Sequence, residues 1–156
     1  FQTWPLPQAR RHQVALFLGS NLGNFTDAEA NRFLRRVRAH LRPGDSLMLG
    51  LDLRKDPSTV LAAYDDPEGV TAAFNLNLLR RLNRELGMDF DLAAFRHYAS
   101  YCPLQGVARS FLVSLRAQSV HSRVLGQSFG FEPGEVIYTE QSQKYERAGV
   151  EAMASQ

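Results

Sequence analysis

A chain of 156 residues fits one ordinary domain, and with 44% hydrophobic and 22% charged residues it can bury a core, unlike a disordered tail. A net charge of +2 is too small to imply a nucleic-acid partner, and a single cysteine, Cys102, excludes an internal disulfide framework or a cysteine-rich zinc site. No apolar run approaches the roughly 20 residues of a membrane-spanning helix and no signal peptide is visible, so a cytoplasmic location is expected.

Residues 1–11 are proline-containing and aperiodic, which predicts a leading loop; the absence of an initial Met is expected to mark a start inside a longer protein. Val14-Ala15-Leu16-Phe17-Leu18 is a continuous apolar run ending at Gly19, the pattern of a strand buried on both faces. After the loop Gly19-Ser20-Asn21-Leu22-Gly23-Asn24, Thr26 and Glu29 have the spacing of a helix capping box. Phe33, Leu34, Val37 and Leu41 continue at helical spacing until Arg42-Pro43-Gly44 stops the helix. Leu47-Met48-Leu49-Gly50-Leu51 predicts a second buried strand ending in Asp52. Strand, helix and strand of these lengths form a parallel βαβ unit, whose ligands bind outside the carboxyl ends of the strands.

Asp56-Pro57 predicts the cap of a short helix ending near Tyr64, and Asp66-Pro67 that of a longer one. Val70, Phe74, Leu78, Leu82 and Leu86 mark one face of the longer helix, with Gly87 as its C-cap. A single turn is predicted over 91–95. Beyond His97 the period shifts to two, predicting short strands at 111–115, 120–125, 128–131 and 136–139, with bends at Gly126 and Gly130 and a Pro133-Gly134 turn. This describes a small antiparallel sheet, not another βαβ repeat. Residues 144–156 read as a final helix.

Three segments can carry chemistry. In the loop 19–24, glycines let backbone approach a ligand, and Asn24 either satisfies local backbone or presents its amide to a carboxylate. The loop lacks the Lys and Ser/Thr of a P-loop and the third glycine of a dinucleotide site. Its seven residues from Leu18 resemble the opening of hydroxymethylpterin pyrophosphokinases, but Asp65 and Asp66 fit a helix start better than magnesium. Arg32, Arg35, Arg36 and Arg38, with Arg10 and Arg11, read as a solvated helix face balanced by acidic residues. His12, His40, His97 and His121 share no ligand spacing, and no metal site is predicted. Glu140 and Ser142 have the same strand parity, so they either face one imidazole together or serve as a solvated acid and the final helix's cap.

In order along the chain stand Phe17-Leu18-Gly19-Ser20-Asn21-Leu22-Gly23-Asn24-Phe25, Gly50-Leu51-Asp52-Leu53-Arg54-Lys55-Asp56-Pro57, Ala62-Ala63-Tyr64-Asp65-Asp66, Gly69-Val70-Thr71-Ala72-Ala73-Phe74-Asn75-Leu76-Asn77 and Thr139-Glu140-Gln141-Ser142-Gln143-Lys144-Tyr145. Together they resemble the histidine-specific N-alpha-methyltransferases, which make hercynine for ergothioneine synthesis. The resemblance runs over nearly the whole chain, and Gly69 to Asn77 is its most specific part.

The resemblance implies an α/β fold: part of a Rossmann-like methyltransferase sheet over residues 1–56, a substrate-binding α+β lobe over 57–143, and a helix returning to the first domain over 144–156. It implies S-adenosylmethionine as methyl donor, with the main donor-binding motif outside this stretch, so that the chain by itself is expected to be inactive. The substrate is a small amino acid: Gly19 offers backbone to its amine, Asn24 and Tyr64 hold its carboxylate, and Glu140 and Ser142 bind its imidazole. Ser110 stands where relatives often place Met in the side-chain pocket, Asn21 where they carry Ser or Thr, and Gln141 and Gln143 alter the last motif. A non-catalytic amino-acid-binding module is the alternative, and a pterin-kinase-like enzyme a more distant one.

Overall fold

A computed structural model describes residues 12–155. The predicted leading loop, with Arg10 and Arg11, lies outside these residues, as does Gln156. Internal contacts divide the chain into two compact units, one made of the chain up to Arg54 and from Ser142 onward, the other of Lys55–Gln141. No helix among the described residues is long and apolar enough to cross a membrane.

In the first unit β1 (Val14–Phe17) and β2 (Ser46–Leu49) pair in parallel, Val14 opposite Ser46 and Phe17 opposite Leu49. Between them runs α1 (Asp27–His40). Its capping box forms as predicted: the Glu29 amide donates to Thr26 Oγ1, and the Thr26 amide donates to the Glu29 carboxylate at 2.9 Å. Leu22, Ala30 and Tyr145 form the buried centre, with Phe17, Phe33, Leu49 and Leu51 packed around it and Val150 and Met153 added from α4 (Arg147–Ala154). The expectation that both strands are buried on two faces is not met among the described residues. Phe17 and Leu49 are covered, whereas Val14, Leu16 and Met48 are 60%, 62% and 56% exposed. A two-stranded sheet covered on one side can hide only alternate side chains, whatever the run's hydrophobicity. The final helix also begins later than predicted, at Arg147, because residues 143–145 are extended beside the segment that follows β2.

The second unit contains α2 (Pro57–Ala62), α3 (Val70–Leu86), β3 (Phe95–Cys102), β4 (Val107–Ser114), β5 (Gln118–Ser122), β6 (Gln127–Phe131) and β7 (Val136–Gln143), whose last two residues group with the first unit. β3 and β4 form an antiparallel hairpin with β7 on the far side of β4, and β5 and β6 form a separate antiparallel pair. The core packs Leu79 of α3 against Phe90, Phe95, Leu112 and Val120.

The predicted apolar face of α3 is corrected. Asn75 and Leu79 are buried, with Leu76 and Leu82 packed beside them, whereas Val70 and Phe74 are 68% and 72% exposed. The helix carries two overlapping apolar stripes, and Asn75's bond to Thr139 together with Leu79's fit in the core selects the second. β5 also ends earlier than predicted: the amide of Leu125 donates to Ser122 Oγ and Gly126 takes φ +63°, so the last residues of the predicted strand form a turn. Gly130, predicted as a bend, lies within β6 opposite Ser119.

α3 starts at Val70 rather than directly after Pro67, yet Asp66 still caps it: its carboxylate accepts from the Val70 amide at 2.8 Å and the Thr71 amide at 2.7 Å. Hydrogen bonds from the Thr71 side chain and amide, then from the Val70 amide, hold its pKa down to about 2 from 3.8. A depressed carboxylate contributes stability that is complete above its unfolded pKa and is lost as pH falls through the folded one. The start of α3 should therefore loosen between pH 3.8 and about 2. NMR shifts of the Val70 and Thr71 amides should titrate in that window and lose the titration in Asp66→Asn; persistence in the variant would remove Asp66 as the cap.

Candidate functional site

At the carboxyl end of β1 the chain turns sharply. Gly19 and Ser20 take successive left-handed conformations, φ +84° and +58°. For a serine this geometry costs on the order of 1–2 kcal/mol and must be held by its surroundings. Asn21 Nδ2 donates to the Leu18 carbonyl at 3.1 Å, the Gly23 amide donates to the Ser20 carbonyl at 3.0 Å, and Asn21–Asn24 close into a single 3-10 turn. Tyr145 pins the turn from below, its hydroxyl donating to the Leu22 carbonyl at 3.1 Å. Burial, with a smaller contribution from Asp27, pushes this phenol up to about 12. The loop's side-chain-to-backbone bond thus comes from Asn21. Asn24 is exposed, and its amide makes no hydrogen bond to another described residue.

Against this loop lies the segment after β7. A Cβ on Gly23 would stand 2.8 Å from the Gln143 carbonyl oxygen and 3.4 Å from Ser142 Oγ, so only glycine allows the approach. Residues 143–145 run parallel to the continuation of β2: Tyr145 N donates to Asp52 O at 2.9 Å and Arg54 N to Tyr145 O at 3.0 Å. This alignment buries Lys144, 3% exposed, whose Nζ lies 2.9 Å from Asp52 Oδ2 and 2.9 Å from Ser142 Oγ. The loop after β1, Asp52 after β2 and Ser142 therefore meet where the two parallel strands end, the place in an open α/β sheet where ligands bind.

In the second unit the buried face of the β3–β4–β7 sheet carries polar groups. His97 Nε2 is 2.8 Å from the Tyr64 carbonyl, which makes that nitrogen the donor and ties the end of the α2 region to β3. Its Nδ1 is buried without a partner among the described residues. Two residues along β3, Ala99 lies opposite Ser110. The Ser110 hydroxyl is also buried and unpartnered among the described residues, while its carbonyl lies 3.0 Å from Thr139 Oγ1. Thr139 Oγ1 is in turn 2.8 Å from Asn75 Oδ1. Glu140 follows, half-buried, its carboxylate making no hydrogen bond or ion pair to another described residue.

Comparison with known sequences gives this arrangement a context. The profile of the histidine-specific, SAM-dependent methyltransferases matches residues 1–156. The chain belongs to that family. It is 44% identical over 147 residues to a histidine N-alpha-methyltransferase of Mycolicibacterium smegmatis and 41% identical to that of Mycobacterium tuberculosis, covering 94% of this chain and 46% of either relative. Ergothioneine biosynthesis protein 1 of Schizosaccharomyces pombe is 33% identical over 131 residues, 83% of this chain and 17% of its own. The chain thus spans just under half the length of its mycobacterial relatives.

For a member of this methyltransferase family, the seven-residue likeness to pterin pyrophosphokinases is a local coincidence of turn sequence. Of the predicted site residues, the first unit brings the loop from Gly19 to Asn24 against Ser142. The second holds Tyr64, Ser110 and Glu140, of which Ser110 and Glu140 flank the Thr139 contact. Ser142 does not cap the last helix, whose N-cap position is Glu146. Sequence reasoning assigned no role to Asp52, Lys144, Asn75 or Thr139. The available signal was a lysine two residues beyond Ser142 in a strand pattern, hence on the same face, and an aspartate closing an apolar strand.

Proposed function

We propose that the protein containing this chain is a cytoplasmic enzyme that transfers methyl groups from S-adenosylmethionine to the α-amine of L-histidine, ending at the trimethylated betaine. The observation that carries this reading is the meeting of the glycine loop, Asp52 and Ser142 at the carboxyl ends of two parallel strands, in a chain of this family. Residues 1–56 and 144–156 are read as part of a Rossmann-like domain and residues 57–143 as the substrate lobe. Gly19 presents backbone to the amine, Asn24 and Tyr64 take the carboxylate, Glu140 and Ser142 the imidazole, and Ser110 leaves room in the side-chain pocket.

The methyl donor supplies a carbon bound to a cationic sulfur. Among the described residues the carboxylate at the strand end, Asp52, is engaged by Lys144, and no contact to the donor is assigned to this stretch. What these residues do is hold the acceptor. An amine reacts only with its lone pair free and aimed, so the gain comes from fixing the carboxylate and ring at either end while leaving the nitrogen unencumbered.

The test uses the full-length protein with histidine and S-adenosylmethionine, followed by mass spectrometry. Mono-, di- and trimethylated histidine should accumulate in turn. Histidine binding without methylation would favour an amino-acid-binding module, and absence of both would end the proposal.

A further inference from the structure

We infer that Lys144 biases the Ser142 hydroxyl toward donating its hydrogen bond, so that Ser142 recognises a ring nitrogen bearing a lone pair. This rests on the reading of Ser142 as a substrate contact and adds to it the polarity of that contact and the residue that sets it. An ammonium group has three N–H bonds and no lone pair. At 2.9 Å, Lys144 Nζ can only donate to Ser142 Oγ, which must accept.

The lysine cannot turn away easily. It is buried, and its Nζ is held at 2.9 Å by Asp52 Oδ2. Extended pairing of Leu53 with Tyr145 fixes the backbones that carry both groups. Accepting from an ammonium polarises the Ser142 O–H and weakens the oxygen's remaining lone pair as an acceptor, and the hydroxyl has no second partner among the described residues. A serine without such a neighbour accepts or donates equally well; this one is biased toward donating.

A neutral imidazole has one N–H and one lone pair. A Ser142 biased toward donating takes the lone pair and leaves the N–H for a carboxylate, the role proposed for Glu140. Lys144 is therefore a positioning residue that selects ring tautomer without touching the substrate.

The experiment measures affinities of the full-length protein by calorimetry for histidine and two analogues with similar five-membered rings. 4-Thiazolylalanine keeps a ring nitrogen acceptor and has no ring N–H; 2-thienylalanine has neither. Wild type should bind the thiazolyl analogue roughly five- to tenfold more tightly, the worth of one neutral hydrogen bond. Ser142→Ala should abolish that preference. Lys144→Met should reduce it to below about twofold, because the released hydroxyl turns to the Asp52 carboxylate or to water. Should Lys144→Met fail to fold once Asp52 loses the lysine, Lys144→Met combined with Asp52→Asn removes both charges while the amide oxygen introduced at that position still draws the released hydroxyl, so the same reduction is expected. A preference retained in the folded lysine variant would overturn the inference. So would equal binding of the two analogues by a wild type that binds histidine. A wild type that does not bind histidine would end the proposed function and this inference with it.

Discussion

Glu140→Ala in the full-length protein should weaken histidine binding by about 10- to 150-fold, the loss of a charge-assisted hydrogen bond of about 1.5–3 kcal/mol. Affinity for S-adenosylmethionine should stay as in wild type. The separation follows from the position of Glu140, half-buried in β7 with a carboxylate that makes no hydrogen bond or ion pair to another described residue, so that truncation leaves no partner stranded. Calorimetry with each ligand and a thermal melt decide it. An unchanged histidine affinity would take Glu140 out of the site, and a lowered melting temperature would give it a structural role instead.

Gly23→Ala should damage both stability and substrate binding. Its new methyl group would sit 2.8 Å from the Gln143 carbonyl oxygen and 3.1 Å from the Gln143 amide nitrogen. Both are backbone atoms, held in place by the pairing of the following residues with the segment after β2. Neither can yield as a flexible side chain would, so the loop must move away from Ser142. Overpacking of this kind costs about 1–3 kcal/mol, read by denaturant unfolding, and histidine affinity should fall with it because Asn24 rides on the same turn. Ser20→Gly is the informative companion, since it relieves the left-handed strain at φ +58° and should not weaken folding. A Gly23→Ala protein with wild-type stability and affinity would show that the close approach of loop and strand is dispensable.

Local chemistry made much of this chain legible. Thr26 and Glu29 cap α1 because both bonds close within one turn, and Asp56, Asp91 and Gly87 mark helix ends for the same short-range reason. The parallel pairing of β1 and β2 followed from two apolar runs separated by one amphipathic helix. The motifs quoted from Phe17 to Tyr145 also carried the family, which the profile match over residues 1–156 shows.

Other features depend on partners distant in sequence. Hydrophobicity says that a residue favours burial, but neighbouring elements decide whether burial is available, and among the described residues none covers Val14, Leu16 and Met48 fully. The same holds for α3, where Leu79 and not Phe74 faces the core, and the buried Asn75 accepts at its side-chain oxygen from the hydroxyl of Thr139, 64 positions away. Sequence by itself determined the βαβ unit, most helix caps and the family, since these rest on interactions a few residues long or on motifs read in order, but not β3 or the ends of β5 and α4. The tertiary structure alone decided that Asp52, Lys144 and Ser142 form one buried chain of contacts beside Gly23, because a strand returning from the far end of the sequence is what brings a charge, its counter-charge and a hydroxyl within hydrogen-bonding distance.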